Sequence, residues 1–397
     1  MLKNSVIKRK ICKAVDDLAG RIIALNKSIF DNPETCFKER ESVKLITSEL
    51  RAESFEITAP FAGVKTAFKA VSRGKRARPK IALIAEYDAL PELGHACGHS
   101  MIAASAFGAA VAIKRAVGDH PGELLVIGTP AEEGGGGKIK MIKNNGFKGV
   151  DAALMAHPSN KTRVVARMYA ISHLQLTFLG KAAHAAAFPD KGVNALDAGV
   201  LFYNGISAMR QQLNGEARIH GIFTRGGDAP NIIPEKVVMD FYVRALDRKY
   251  FEALIKKVAQ CARGAAKAVG CKVKIKKIGH TYDPFYPSYP IGNAFRANMK
   301  TLNIAEDRFG ETEEIGSSDI GALSLVTPTL HPEYAVGKKT DINHSRDFLK
   351  AVVSPRGAGA MLAMTKALAM TTYDLLTDAK LLSEARGMFL EQRKRMG

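Results

Sequence analysis

Tryptophan is absent from the 397 residues, cysteine is scarce at five, and 39 acidic residues face 58 lysines and arginines. The missing indoles say little. The cysteines (Cys12, Cys36, Cys97, Cys261, Cys271) are odd in number and scattered, which argues against a disulfide framework in a chain this large. Long apolar runs are also missing. The longest, MIAASAFGAAVAI at 101–113, is interrupted by Ser105 and Gly108 and falls short of the ~20 residues a spanning helix needs. The first 17 residues are basic but show no apolar h-region and no small-residue cleavage site, so a cytoplasmic protein is expected. The shortage of acidic residues leaves a formal charge of +19. That charge is dispersed over RGKRARPK, KVKIKK and EQRKRMG, with no aromatic ladder beside it. Single-strand binders pair the two features, so no nucleic-acid partner and no membrane partner is expected. A solvated basic surface that favours anionic substrates is the plainer reading. There is no internal repeat and no low-complexity tract.

What is present is ordinary for a soluble enzyme: 46% hydrophobic and 24% charged residues. The length exceeds what one core usually organises, so two domains are expected. Strand and helix patterns alternate through KIALIA, MIAASAFGAAVAIKRAV, GELLVIG, GKIKMIKNNG and VDAALMAH, which predicts an α/β core with a largely parallel sheet. From about residue 170 the order changes to β-α-β-β-α-β, that of a ferredoxin-like unit. It ends near 280, and the α/β pattern then resumes. The expected division is a core of 1–169 with 281–397, interrupted by an inserted domain of 170–280.

Core strands here end in ionisable residues. Ligands of open α/β sheets sit beyond the carboxyl ends of the strands. The ends EYDALPELGHACGH, TPAEEGGGG and MAHPSN, with the downstream VGKKTDINHSRDF, offer Asp88, His95, Cys97, His99, Glu132, Glu133, His157 and His344. Thiolate, imidazole and carboxylate are the ligand types of zinc and similar divalent ions. A lone Cys-x-His is weak, but four strand ends carrying the right types are not. Adjacent carboxylates repel, so the Glu132–Glu133 pair implies a compensating cation. One can bind metal while the other accepts a proton from an activated water.

These stretches, together with GKAAHAAAFPDKGVNALDA, GGDAPNIIPE and GSSDIGALS, resemble the M20 metallopeptidase and amidohydrolase family, in its amidohydrolase branch. The likeness runs from DNPETCFKE to NHSRDF. It implies a mixed-sheet metallohydrolase core whose inserted ferredoxin-like domain acts as lid and dimerisation domain. It implies metal ligands at Cys97, His99, Glu133, His157 and His344, with His331 as the competitor for the last place. Glu132 matches the general base, and Asp88 the acid that orients a ligand. His184 matches a donor to the oxyanion, Asn231 a contact to the substrate carboxylate, and Arg244 a weaker candidate for the same anion. One or two zinc or manganese ions and a homodimer or higher homo-oligomer are implied. Ser100 departs from the family's usual Asp or Asn and puts the second ion in question. The expected activity is hydrolysis of amide bonds in small dipeptides or N-acyl amino acids. An aminobenzoyl-glutamate-type amide is the alternative substrate, and a non-catalytic binding protein that keeps the fold is the alternative class.

Overall fold

Residues 80–85 (KIALIA) and 123–128 (ELLVIG) are almost continuously apolar and buried. Strands with that profile are covered on both faces, as parallel strands are. The computed structural model describes residues 2–307 and 315–396. In it, strand Lys80–Ala85 lies parallel to both Glu123–Gly128 and Ala152–Leu154, and the latter is parallel to Thr329–Leu330. Two further strands, Phe68–Arg73 and Glu56–Thr58, extend the sheet antiparallel beyond Glu123–Gly128. The six-stranded sheet is therefore mixed, with a parallel centre. Four parallel strands thus end at the same edge.

Helix His99–Val117 is buried over nearly its whole length, with Ala, Gly and Ser at many positions. Small residues let neighbours come close: a Cβ on Gly108 would meet Ile22 Cδ1 at 2.4 Å. Helices Leu2–Asp17, Ala19–Asp31 and Pro355–Thr377 pack on it. By length and composition this helix could cross a bilayer, but 78% of the relevant window is buried inside the protein. A core position accounts for its apolarity.

The chain divides into two compact units, Met1–Arg167 with Tyr286–Ile315 and Ala322–Gly397, and Met168–Phe285 with Gly316–Gly321. The second unit has its own core, in which Phe178, Phe202, Phe241 and Val258 are fully buried. Its sheet is antiparallel throughout, in the order Lys272–Tyr282, Ala170–Leu179, Lys236–Ala245, Arg218–Arg225. Strict alternation of buried and half-buried residues along Ala170–Leu179 marks a sheet with one packed face. Helices Ala195–Met209 and Arg248–Ala268 pack against it. Each starts at a side-chain cap: Asn194 Oδ1 accepts from Leu196 N at 2.9 Å, and Asp247 Oδ1 from Tyr250 N at 2.7 Å.

Candidate metal centre

The edge where the parallel strands end carries the chemistry. Strand Lys80–Ala85 runs into Glu86 and Asp88, Glu123–Gly128 into Glu132 and Glu133, Ala152–Leu154 into His157, and Thr329–Leu330 into His331. Cys97 and His99 arrive on the loop that opens helix His99–Val117. Gly98 between them has φ of +81°, and a Cβ there would meet Pro158 Cγ at 2.4 Å. Only glycine fits that turn without rearrangement. His344, also at positive φ (66°), is tied by its backbone N–H to Ala96 O at 2.9 Å. A non-glycine residue in that region costs of order 1–3 kcal/mol and needs surroundings that enforce it.

Three groups of donor atoms converge, each within 4.8 Å of one another: Cys97, His99 and His157; Cys97, Glu133 and His344; His99, Glu132 and Glu133. Cys97 belongs to two of them. Its Sγ lies 3.6 Å from His157 Nε2. Glu133 Oε1 is 3.3 Å from His344 Nε2, and Glu132 Oε2 is 4.0 Å from His99 Nε2. The imidazoles are held from behind. His99 Nδ1 faces Asp88 O at 3.0 Å and Asp88 Oδ1 at 3.1 Å, and His157 Nδ1 faces Pro158 O at 2.7 Å. Both arrangements keep a proton on Nδ1 and make Nε2 the nitrogen that faces inward. Asp88 Oδ2 in turn accepts from Glu133 N at 2.9 Å, which joins two strand ends.

The electrostatics are those of a site built for positive charge. Burial alone would push the Cys97 thiol up, but His99 and His157 draw it down to about 6. Burial opposes charging His99, yet Cys97, Asp88 and Glu86 hold its pKa well above the usual imidazole value. Hydrogen bonds with Cys97 and Glu133 raise His344 to about 10. The field that holds protons on these rings would equally hold a metal cation. His99 Nε2 is fully buried and has no hydrogen-bond partner. Donor types and this inward-facing, unpartnered nitrogen fit a divalent ion bound by thiolate, imidazole and carboxylate.

Other expected residues fall elsewhere. His331 is buried against His157, with ring centroids 5.3 Å apart, and joins none of the three groups. His95 is buried beside Phe30 and also stays outside them. The buried Ser100 hydroxyl has no hydrogen-bond partner among the described residues, so it steadies none of the donors. In the second unit, His184 and Asn231 sit on adjoining segments: Ala185 N donates to Asn231 O at 2.9 Å, and His184 pairs with Ile232. The exposed His184 accepts from Ala187 N through Nδ1 at 3.1 Å, so its Nε2 carries the proton. Arg244 lies on the sheet, donates to Ser317 Oγ at 3.1 Å, and sits over the Tyr242 ring. One pair in the first unit does not stand out in the sequence. Glu86 and Lys138, both fully buried, form an ion pair beside His99. A signal was there: Glu86 lies two residues from Asp88 on an extended segment, so both face the same side.

The fold and this cluster define a hydrolase-type α/β core with a donor-lined sheet edge. Residues 82–352 match the sequence profile of peptidase family M20/M25/M40, and the chain belongs to that family. It is 38% identical over 401 residues to the Xaa-Arg dipeptidase of Mus musculus, covering 97% of this chain and 92% of that one. It is 33% identical over 285 residues to one of the subunits of p-aminobenzoyl-glutamate hydrolase from Escherichia coli K12, covering 66% of this chain and 58% of that one. Among solved structures, a dinuclear metal-binding M20 peptidase of Bacillus subtilis superposes with a TM-score of 0.74 at 20% identity, over 91% of this chain and 99% of that one.

Proposed function

We propose that this chain hydrolyses the amide bond of small dipeptides with a basic C-terminal residue, using divalent metal ions, zinc or manganese. The observation that carries the reading is the shared Cys97: one thiolate belongs to two donor triplets, with Glu132 beside both. Cys97, His99 and His157 would hold one ion, and Cys97, Glu133 and His344 the other. A bound divalent ion supplies Lewis acidity to the scissile carbonyl and lowers the pKa of a water. Glu132 accepts the proton of the attacking water on its carboxylate and passes it to the leaving amine nitrogen as the C–N bond breaks and the C–O bond forms. Asp88 and the Pro158 carbonyl keep the Nε2 lone pairs of His99 and His157 inward. His184, through its Nε2–H, donates to the oxyanion. Asn231 and Arg244 take the substrate carboxylate.

The βαββαβ order of the second unit supports its reading as a ferredoxin-like lid that also mediates dimerisation. We place the enzyme in the cytoplasm. The preference for a basic residue rests on the likeness to the dipeptidase. The chain's net charge of +19 runs against a cationic substrate, but exposed charges more than a Debye length of about 8 Å from the site are largely screened at physiological salt. An N-acyl amino acid or an aminobenzoyl-glutamate-type amide is the second reading, favoured by the likeness to the bacterial hydrolase.

The test is turnover of a panel of Xaa-Arg and other dipeptides, N-acetyl amino acids and aminobenzoyl-glutamate, with Zn²⁺ or Mn²⁺. Chelated protein and Glu132→Gln are run beside it. One substrate class should turn over, and Glu132→Gln should lower kcat by about 10²–10⁴-fold while keeping its metal. A metal-loaded Glu132→Gln protein with undiminished kcat would refute the mechanism. Wild type that binds no metal would leave a non-catalytic protein of this fold.

A further inference from the structure

Two buried, unpartnered atoms face each other beside the proposed metal ligands. Glu86 Oε2 has no hydrogen bond and lies 3.4 Å from His99 Nε2, which has none either. Both side chains are fully buried. The other ends are fixed: Glu86 Oε1 accepts from Lys138 Nζ, and His99 Nδ1 faces two oxygens of Asp88. With one proton held on Nδ1, Nε2 is the ring nitrogen that faces the Glu86 carboxylate, and a metal ion bound there would take the place of the second ring proton. A carboxylate oxygen and an imidazole nitrogen at this separation call for a positive charge between them, a proton in the metal-free protein or a metal ion in its place. Two donors each about 2.1 Å from a tetrahedrally bound zinc are about 3.4 Å apart.

We propose that Glu86 Oε2 is a further donor to the divalent ion held by His99. This rests on reading the cluster as a divalent-metal site. Lys138 is then a positioning residue. It sits in the first turn of helix Gly137–Lys143, ties down one carboxylate oxygen and leaves the other for the ion. It also offsets the charge of a fourth carboxylate beside Asp88, Glu132 and Glu133, which would otherwise raise the repulsion among them. The competing explanation makes Glu86 nothing more than the counter-charge of a buried lysine.

The double variant Glu86→Gln/Lys138→Met separates the two, because it removes both buried charges and leaves neither unpaired. Full-length wild type and double variant are stripped with a chelator, checked by circular dichroism, and titrated with Zn²⁺ alone by calorimetry. The double variant should bind one zinc equivalent at least ~10-fold more weakly than wild type; even partners outside the coordination sphere are worth 10–100-fold. Wild-type affinity and stoichiometry in a folded double variant overturn the proposal. The anomalous signal of zinc-loaded wild-type crystals decides the matter even if the variant does not fold. Glu86 Oε2 within about 2.3 Å of zinc supports the proposal, and a separation above about 3 Å overturns it. Wild type that takes up no zinc overturns the metal reading itself, and this proposal with it.

Discussion

The chain builds two sheets, and only one of them gathers donors. In the first unit four parallel strands stop at the same edge, and the chain beyond them carries Glu86, Asp88, Glu132, Glu133 and His157. In the second unit four antiparallel strands begin and end at both edges, so polar strand ends are shared between two sides. All three metal-competent groups among the described residues lie in the first unit. Strand direction thus decides where chemistry can accumulate. The two regions differ in degree of satisfaction as well: among the described residues, most buried atoms with no hydrogen-bond partner lie in the first, while His173 Nε2 and Arg244 Nε are such atoms in the second. The first holds buried atoms with no partner, a fully buried ion pair, and Ala131 and His344 at positive φ. Around His184 and Asn231 the segments are joined by ordinary backbone hydrogen bonds at the surface. A site that must bind a cation is built under tension, whereas a site that offers one hydrogen bond need not be.

Removing Cys97 should break that contrast most completely. Its thiolate serves two donor triplets, so Cys97→Ala should weaken binding of both ions by more than ~100-fold, beyond what loss of an outer partner costs. Metal analysis after dialysis reads this directly. Retention of one full equivalent would mean that the triplets do not share the thiolate. In the second unit, His184→Gln should lower kcat by about 10²–10³-fold, the usual cost of one oxyanion donor. Its metal content should stay at the wild-type level, which is the diagnostic difference between the two regions. The first region should also respond to pH through its donors. In the metal-free protein between about pH 6 and pH 10, Cys97 is thiolate and His344 is protonated. An ion entering that triplet displaces at least the His344 proton, so raising the pH favours the ion. Apparent affinity should climb by about tenfold per pH unit for each proton released. Calorimetry in two buffers of different ionisation enthalpy counts those protons. Binding that releases none over this range would contradict the picture.

Much of this is legible in the sequence, because strand-end residues advertise themselves. The runs KIALIA and GELLVIG are too apolar to be anything but buried, and the ionisable residues directly after them stand out. Cys97, His99, Glu133, His157 and His344 could be singled out on that basis and from the family likeness. The pairing of Glu86 with Lys138 could not, because nothing in a linear sequence pairs residues 52 positions apart, even though the spacing of Glu86 from Asp88 hints that both face one side. The strands Glu56–Thr58 and Phe68–Arg73 are also hard to read from the sequence. They are short, and the second is so well buried that it lacks clear alternation. Gly98 is a further hidden constraint, since the space that a Cβ would need there is taken by Pro158, which arrives from another strand.

The smallest expected effect sharpens the comparison from the structural side. Asn194 lies within GKAAHAAAFPDKGVNALDA, one of the stretches that carry the family likeness, and could pass for a substrate contact. Its side-chain oxygen instead accepts from Leu196 N at the start of helix Ala195–Met209. Loss of such a cap costs ~1 kcal/mol. Asn194→Ala should therefore lower the thermal midpoint of the second unit by a few degrees and leave kcat/KM and metal content unchanged. Asn194→Asp, which keeps the acceptor, should restore the midpoint. If Asn194→Ala instead cut kcat/KM tenfold while the midpoint held, the residue would belong to substrate recognition. The helix cap would then be incidental, and the second unit would carry more of the chemistry than its lack of metal-competent groups suggests.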